Sequence, residues 1–173
     1  MKNILIVYYS RKGENYYGGT LKNLTKGNTE IAAEYIQKAV GGTLFEVETV
    51  KTYPAAYHDC TREAKAETLA DARPEVRRYA ENMDAYDTVF VGFPNWCKTM
   101  PMCLFTFLEH YDLSGKTIIP FVTHEGSGIA NSVSDLKRIC RGAEVLPGLA
   151  VYGHQVRSRE AEIAAWARQS LGL

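Results

Sequence analysis

The sequence has no excess charge of either sign. Its 173 residues include 20 lysines and arginines against 20 aspartates and glutamates, so the formal net charge is +0. A protein that binds nucleic acid non-specifically needs a clustered basic face to neutralise phosphates, and this balance gives no sign of one. It gives no support for a basic membrane-binding surface either. We therefore expect no nucleic acid and no membrane among the partners.

Long hydrophobic runs are also lacking. No apolar stretch approaches the roughly 20 residues that a membrane-spanning helix needs. Asn3–Tyr9 (NILIVYY) has the length of a buried strand, and no signal-peptide cleavage pattern follows it. The cysteines, Cys60, Cys97, Cys103 and Cys140, lack the CxxC or CxxH spacing of zinc sites. We expect a cytoplasmic protein with reduced thiols and no metal.

The sequence lacks two specific nucleotide-binding motifs as well. No glycine loop ends in GKS or GKT, which disfavours a Walker-type site, and no GxGxxG follows the first predicted strand, which disfavours an NAD-binding Rossmann fold. There is no internal repeat, linker or low-complexity segment. We expect a single domain over residues 1–173, and a chain of this length can bury a substantial core.

Strand and helix patterns alternate from end to end. Apolar runs predict strands over Asn3–Tyr9, Thr43–Val50, Asp87–Phe93, Lys116–Thr123 and Ala143–Tyr152, the last broken at Pro147-Gly148. Helical spacing predicts helices over Glu30–Val40, Cys60–Ala72, Met102–Tyr111, Ile129–Cys140 and Glu160–Leu171, with a helical segment or turn over Arg73–Met83. This alternation indicates an α/β fold with right-handed crossovers and a doubly wound parallel sheet.

In such a sheet, ligands bind beyond the carboxyl ends of the strands. Three segments leave those ends: the stretch Tyr8–Glu30 after the first strand, PNWCKTMP (Pro94–Pro101) after the third and THEGSGIANS (Thr123–Ser132) after the fourth. Each has the composition of a site loop. Trp96 follows a buried strand and can be a stacking platform for a ligand, or a tryptophan that lies on the surface or caps the core. His124 can belong to a site, or can be solvated or paired structurally.

Two similar fragments in the first loop compete as a phosphate cradle. Lys12–Asn15 (KGEN) leads into YYGG, which cannot begin a helix, whereas Lys26–Thr29 (KGNT) runs directly into a helical pattern. A helix N-terminus offers unpaired N–H groups and a partial positive charge, which favour phosphate binding. We therefore choose KGNT, joined by Ser10 and Arg11, although a short glycine loop taken alone can equally be an ordinary turn.

Taken together, these pieces resemble the flavodoxin family, especially the flavodoxin-like proteins of anaerobic bacteria. The resemblance lies in YYSR and KGNTE, YDTVFVGFPNWCKTMP and FLEHYDLSGKTIIPFVTHEGSG, and in the order in which they occur. It implies a three-layer fold with a five-stranded parallel sheet in the order 2-1-3-4-5. It also implies non-covalently bound FMN, a monophosphate, which suits the predicted cradle.

The resemblance carries over to particular residues of this chain, in three groups. It implies that the FMN phosphate is surrounded by Ser10, Arg11, Lys26, Gly27, Asn28 and Thr29. It implies that the isoalloxazine is lined by Pro94, Asn95, Trp96, Cys97, Lys98 and Thr99. It implies that the pyrimidine side is approached by Thr123, His124, Glu125, Gly126, Ser127 and Gly128. No catalytic residue is assigned.

The chain departs from the family pattern in its first loop, in its second loop and in its charge. The segment Lys12–Thr25 is inserted between the two halves of the phosphate loop, and Cys97 and Lys98 stand where relatives often carry tryptophan and glycine. Within the insertion, Tyr16 or Tyr17 can cover part of the cofactor site, or both can pack beside the sheet. Electron-carrier flavodoxins are usually strongly acidic, and this chain is not.

Three functions are therefore open. The first is a flavodoxin-type electron-transport protein that carries FMN and exchanges electrons with a redox partner protein. The second is an oxidoreductase that uses NAD(P)H and FMN to reduce a quinone or a similar small acceptor. The near-zero net charge favours it, because a carrier that docks on a partner normally uses an acidic surface for steering. The third is a module that has lost FMN and only binds a partner. We expect a monomer or a homodimer.

Overall fold

The computed structural model describes residues 2–173. Its strands are β1 Ile4–Tyr8, β2 Gly13–Tyr17, β3 Thr20–Leu24, β4 Thr43–Glu46, β5 Thr88–Pro94, β6 Thr117–His124, β7 Glu144–Val145 and β8 Leu149–Tyr152. Its helices are α1 Asn28–Val40, α2 Tyr57–Leu69, α3 Met102–Glu109, α4 Ser132–Ile139 and α5 Glu160–Ser170, with 3-10 turns at Met83–Ala85 and Gly153–Ser158. Within residues 2–173, none of the helices combines the length and the hydrophobicity that a membrane crossing requires.

One parallel sheet organises the chain. The order is β4-β1-β5-β6, and β7 and β8 pair with successive parts of the outer edge of β6. The hairpin β2–β3 forms a separate antiparallel sheet. When β7 and β8 are taken as one interrupted strand and the hairpin is left aside, the predicted order 2-1-3-4-5 is confirmed.

The predicted break in the last strand has a steric cause. Gly148 has a φ of 81°, and a Cβ at this position would lie 2.5 Å from the carbonyl oxygen of Pro120 on the neighbouring strand. The backbones approach so closely here that only glycine is tolerated. Pro147 in this strand and Pro120 opposite it have no N–H to donate, so the strand pairs with β6 on both sides of this point but not at it.

The helices cover both faces of the sheet. One core packs α1 and α5 against the strands, around Ile36, Phe90 and Ile163. The other packs α2, α3 and α4 against the opposite face, around Phe93 and Phe107. Because helices cover both faces of the central strands, every residue of β1 is buried, as its continuous apolar run predicts.

Several predicted boundaries are corrected by long-range pairing. The segment Arg73–Met83 is not helical before Met83, because residues 75–77 exchange backbone hydrogen bonds with Glu48–Val50. The predicted strand Thr43–Val50 ends at Glu46 for the same reason, since the chain then leaves β1 for this contact. The helix α4 begins at Ser132 and not at Ile129, because the amide of Asn131 donates to the carbonyl of Lys98 and Ala130 has a φ of 46°.

Candidate functional site

A cavity of about 540 Å³ lies at the carboxyl ends of β1, β5 and β6. The three loops selected from the sequence meet there. From these loops the cavity is lined by Arg11, Asn28, Pro94, Asn95, Trp96, Cys97, Thr123, His124, Glu125, Gly126 and Ser127. Asn15 and Tyr16, from the inserted part of the first loop, also line it, and from elsewhere in the chain it is lined by Tyr57, Cys60, Thr61, Ala64 and Gly153. The sheet order thus brings together loops that lie far apart in sequence.

The fragment KGNT opens α1, as predicted. The Ser10 hydroxyl accepts a hydrogen bond of 3.1 Å from the amide of Glu30, and the carbonyl of Gly27 accepts one of 3.3 Å from the amide of Ile31. A helix leaves its first amides without intrahelical partners. Those of Asn28 and Thr29 are therefore the donors that this helix start offers to an anion.

Gly27 joins the two halves of the split loop. A Cβ at this position would lie 2.7 Å from the carbonyl oxygen of Arg11 and would also collide with the Ser10 hydroxyl. Its φ is −70°, so the need for glycine here is close approach and not an unusual backbone conformation. The chain before the insertion and the chain after it are therefore packed directly against each other.

The two cations predicted for the cradle are engaged elsewhere. The Lys26 ammonium pairs with Glu34 at 2.7 Å, which raises the pKa of Lys26. The Arg11 guanidinium donates to the carbonyl of Glu14 at 3.1 Å and to those of Pro54 and Ala55 at 3.1 and 2.9 Å. Arg11 still lines the cavity, but its donors tie the insertion to the segment before α2.

Sequence reasoning missed a third cation, Arg157. It lies in the 3-10 turn Gly153–Ser158 and donates from Nη1 to Asn28 Oδ1 at 2.7 Å and from Nη2 to the carbonyl of Lys26 at 2.9 Å. The local sequence of this turn carries no binding motif. Only the position of the turn beside α1 reveals the contact.

The second loop makes a tight turn over two positive-φ residues. Cys97 and Lys98 have φ angles of 54° and 69°, and Trp96 and Thr99 exchange backbone hydrogen bonds across them. The left-handed conformation costs roughly 1–2 kcal/mol for a non-glycine residue. Both side chains are exposed, and Cys97 lines the cavity while Lys98 does not.

Asn95 ties the second loop to the third. Its Oδ1 accepts from the amide of Lys98 at 3.0 Å, and its Nδ2 donates to the carbonyl of Gly128 at 2.7 Å. Thr99 is buried behind the turn and donates to Asp135 of α4. These bonds tie the second loop to the third loop and to α4.

The indole of Trp96 is held by other aromatic rings. Its centroid lies 5.2 Å from that of Tyr9 and 5.2 Å from that of Tyr53, both edge to face. The ring is half-buried and lines the cavity. Trp96 therefore packs against the core and also borders the cavity, and its role as a stacking platform for a ligand stays a prediction.

The third loop begins with residues that face inward. The Thr123 hydroxyl lies 2.8 Å from that of Thr29, in the buried space between β6 and α1. The Nδ1 atom of His124 accepts from the amide of Gly126 at 2.9 Å, so a neutral His124 carries its proton on Nε2. Burial lowers the pKa of His124, with a smaller opposing effect from Glu125, and this favours the neutral ring.

Within residues 2–173, the cavity lining holds a single carboxylate, that of Glu125. It is fully engaged: Oε1 accepts from the amide of His154 at 3.0 Å, and Oε2 accepts from His154 Nδ1 at 2.7 Å and from the amide of Gly18 at 3.3 Å. Its negative charge is therefore partly compensated by three hydrogen-bond donors. An anionic ligand meets less repulsion here than a free carboxylate would cause.

The inserted segment Lys12–Thr25 forms the hairpin β2–β3, where the sequence predicted only a loop. Gly18 and Gly19 supply the two positive φ angles of its turn, which is the usual chemistry of a two-residue hairpin. Tyr16 lines the cavity and its ring lies 5.9 Å from that of Tyr57, whereas Tyr17 packs on His154. Of the two tyrosines, Tyr16 is therefore the one placed to cover part of the site, and that role stays a prediction.

Seven of the predicted residues lie outside the cavity lining. They are Ser10, Lys26, Gly27, Thr29, Lys98, Thr99 and Gly128. Ser10 and Lys26 instead line a second cavity of about 440 Å³ on the other side of the Arg11 segment. Most of the seven hold the loops in place through the bonds described above. The α2 residues in the lining were missed, because helical periodicity alone does not show which site a helix will border.

Solved structures with this fold include several flavoproteins. A candidate flavoprotein of Bacteroides eggerthii DSM 20697 is 29% identical, with a TM-score of 0.76 over 100% of this chain and 99% of its own. One of Bacteroides uniformis ATCC 8492 is 28% identical, with a TM-score of 0.74 over 96% and 98%. A Lactobacillus acidophilus NCFM flavoprotein, solved in complex with FMN, is 22% identical, with a TM-score of 0.63 over 91% and 98%.

No curated protein matches the sequence. The profile of the flavodoxin family, in contrast, matches residues 22–170, from the third strand to the last helix. This match covers the end of the predicted phosphate loop, both later loops at the cavity and every strand of the parallel sheet except β1. The chain belongs to the flavodoxin family.

Proposed function

We propose that this protein binds FMN and acts in electron transfer. The observation that carries the proposal is the cavity itself, in which Asn28 at the start of α1 and the loops after β5 and β6 border one space. Its volume of about 540 Å³ lies within the range of roughly 300–1,000 Å³ that is usual for cofactor sites. Membership of the flavodoxin family and the relative solved with FMN both support this cofactor.

The donors present suit a phosphomonoester and a planar ring. At the α1 end, the amides of Asn28 and Thr29 would hold the phosphate, with the Asn28 side chain beside them. At the other end, Trp96 and Asn95 form one wall and the loop from His124 to Ser127 forms another. Bound FMN would supply the redox chemistry.

The protein's own contribution is to exclude water and to offer hydrogen-bond donors. Trp96 and Tyr16 place aromatic surface on the cavity wall. A neutral His124 keeps an N–H donor on that wall without adding charge, because burial lowers its pKa. The Glu125 carboxylate, whose charge is shared with His154 and Gly18, adds little repulsion to an electron-rich ligand.

Electron carriage to a redox partner protein is the function we favour. A specific observation also supports a second candidate, an NAD(P)H-dependent reductase of a quinone or similar small acceptor. Lys98 is exposed on the turn beside the cavity, and Arg157 is exposed at the opposite end. Cations at both ends of the site would attract the phosphates of a nicotinamide cofactor.

Two measurements test these proposals. Purified protein should be yellow, or should quench FMN fluorescence when the apoprotein is titrated with FMN; colourless protein that fails to bind added FMN overturns the cofactor assignment. In an anaerobic titration, dithionite should bleach the bound flavin. If NADH or NADPH alone bleaches it rapidly, the reductase is favoured, and if neither does so without a partner reductase, the carrier is favoured.

A further inference from the structure

We infer that Arg157 is a positioning residue that holds the split phosphate loop in its binding conformation through Asn28. This inference rests on the proposed FMN function and adds a residue to it. Arg157 lies in a 3-10 turn after β8, outside all three loops at the strand ends. Its two bonds to the cradle nevertheless join that turn to the segment that opens α1, and the Tyr35 hydroxyl of the same helix also donates to the Arg157 carbonyl at 3.4 Å.

The cradle is interrupted in sequence, and its halves meet where Gly27 packs on Arg11 and the Ser10 hydroxyl accepts from the amide of Glu30. The hairpin β2–β3 separates Ser10 and Arg11 from Lys26–Thr29, so the two halves are not held together by a short chain connection. The side chains of Lys26 and Arg11 do not take this role, since they bind Glu34 and the carbonyls of residues 14, 54 and 55. Arg157 remains as the cation that bonds to the second half.

The guanidinium of Arg157 bonds to two different parts of that half. One nitrogen donates to the carbonyl of Lys26, just before the helix, and the other donates to Oδ1 of Asn28, its first residue. A planar guanidinium presents its donors in a rigid fork. The two contacts together restrict both the backbone before Gly27 and the χ angles of Asn28.

The bond to Asn28 also decides which group that residue presents. A guanidinium has only donors, so the Asn28 side chain must turn its carbonyl oxygen Oδ1, and not its Nδ2, towards Arg157. The groups left to Asn28 are then the two N–H donors of Nδ2, and Asn28 lines the cavity. An orientation that offers donors suits an anion, whereas the opposite orientation would point a carbonyl oxygen at it.

The insertion itself contacts the same arginine. The Arg157 guanidinium lies 5.7 Å from the centroid of the Tyr17 ring, within the range of a cation–π interaction. The turn that carries Arg157 begins at Gly153, where a Cβ would lie 2.5 Å from Asn28 Nδ2. The turn, the hairpin and the helix start are thus packed together around Arg157 and Asn28.

The test compares FMN with riboflavin, which lacks the phosphate. Each is titrated into wild-type apoprotein, Arg157→Ala, Asn28→Ala and the double variant, with flavin fluorescence as the readout. We expect Arg157→Ala and Asn28→Ala each to weaken FMN binding about tenfold, as for loss of a charge-assisted hydrogen bond. Riboflavin affinity should change by less than about twofold, and the double variant should lose little more than either single one.

Two further variants serve as controls. Arg159→Ala removes a cation from the residue next to this turn, whose guanidinium bonds to Glu162 and Gln155 instead, and should leave both affinities unchanged. Arg157→Lys keeps the positive charge but loses the planar pair of donors, so its FMN affinity should lie between those of wild type and Arg157→Ala. Full affinity in Arg157→Lys would show that charge alone acts and would overturn the positioning role.

The remaining outcomes separate the inference from the function. Equal losses of FMN and riboflavin affinity in Arg157→Ala would mean a general structural defect, and no loss would mean no role; either overturns the inference and leaves FMN binding in place. Additive losses in the double variant would show that Arg157 does not act through Asn28. Wild-type protein that binds neither flavin would overturn the proposed function and the inference with it.

Discussion

The hydroxyl oxygens of Thr29 and Thr123 lie 2.8 Å apart, although the residues are 94 positions apart in sequence. Thr29 belongs to the first turn of α1 and Thr123 to the end of β6, and both are buried. A hydroxyl can accept one hydrogen bond while it donates another. Thr123 can therefore donate to Thr29 while Thr29 keeps its own proton for a further hydrogen bond, which under the proposed function would go to the FMN phosphate.

Thr29→Ala should weaken FMN binding by about 1–3 kcal/mol, because a hydrogen bond to phosphate is charge-assisted. Lys12→Ala should matter much less, since Lys12 belongs to the fragment that does not begin a helix. Titration of both apoproteins with FMN checks the difference. Equal losses at the two positions would show that the wrong fragment was chosen as the cradle.

Trp96→Ala should weaken FMN binding by roughly 0.5–1.5 kcal/mol beyond the effect of lost buried area. It should also raise the potential of the second one-electron reduction, because an electron-rich wall of the cavity is removed. Trp166→Ala is the matched control, because the centroid of that indole lies 5.8 Å from the centroid of the Phe90 ring, on the face of the sheet covered by α1 and α5. A change of potential in Trp166→Ala but not in Trp96→Ala would contradict this placement of the flavin ring.

Deletion of Gly13–Leu24 should leave the parallel sheet folded and increase the quenching of flavin fluorescence by iodide. The reason is that Asn15 and Tyr16 of the hairpin line the cavity. Circular dichroism checks the fold, and Stern–Volmer plots check the exposure of the flavin. Unchanged quenching would assign the hairpin a structural or partner-binding role.

A smaller change separates Tyr16 from the rest of the hairpin. Tyr16 pairs with Leu21 across the two strands, and both are partly exposed, but only Tyr16 lines the cavity. Tyr16→Ala should raise iodide quenching, whereas Leu21→Ala should not. Equal effects would indicate that the hairpin shields the flavin only by its general position.

His124 should make stability depend on pH in acid solution. Its pKa is lowered from 6.5 in the folded protein, so below that pH the unfolded chain binds more protons. The stabilisation from neutral His124 is therefore complete above about pH 6.5 and is lost as the pH falls through the lower folded pKa. Urea unfolding of the apoprotein from pH 7 downwards should show a steeper loss in wild type than in His124→Gln; parallel curves would remove His124 from this role.

The sequence by itself determined the features that depend on local pattern. The continuous apolar run Ile4–Tyr8 indicates a strand covered on both faces, and KGNT followed by helical spacing indicates where α1 begins. The alternation of strands and helices then implies a parallel doubly wound sheet with ligands at its carboxyl edge. These conclusions need only the period of side chains along the chain and the chemistry of glycine and proline.

Only the tertiary structure decided which partner each polar group has. Lys26 and Arg11 were expected at the phosphate from their position, yet they bind Glu34 and backbone carbonyls, while Arg157 reaches the cradle from a turn without any motif. The bonds of Glu125 to His154 and Gly18 are of the same kind. Such contacts depend on which segments the sheet order brings side by side, and side-chain periodicity carries no information about that.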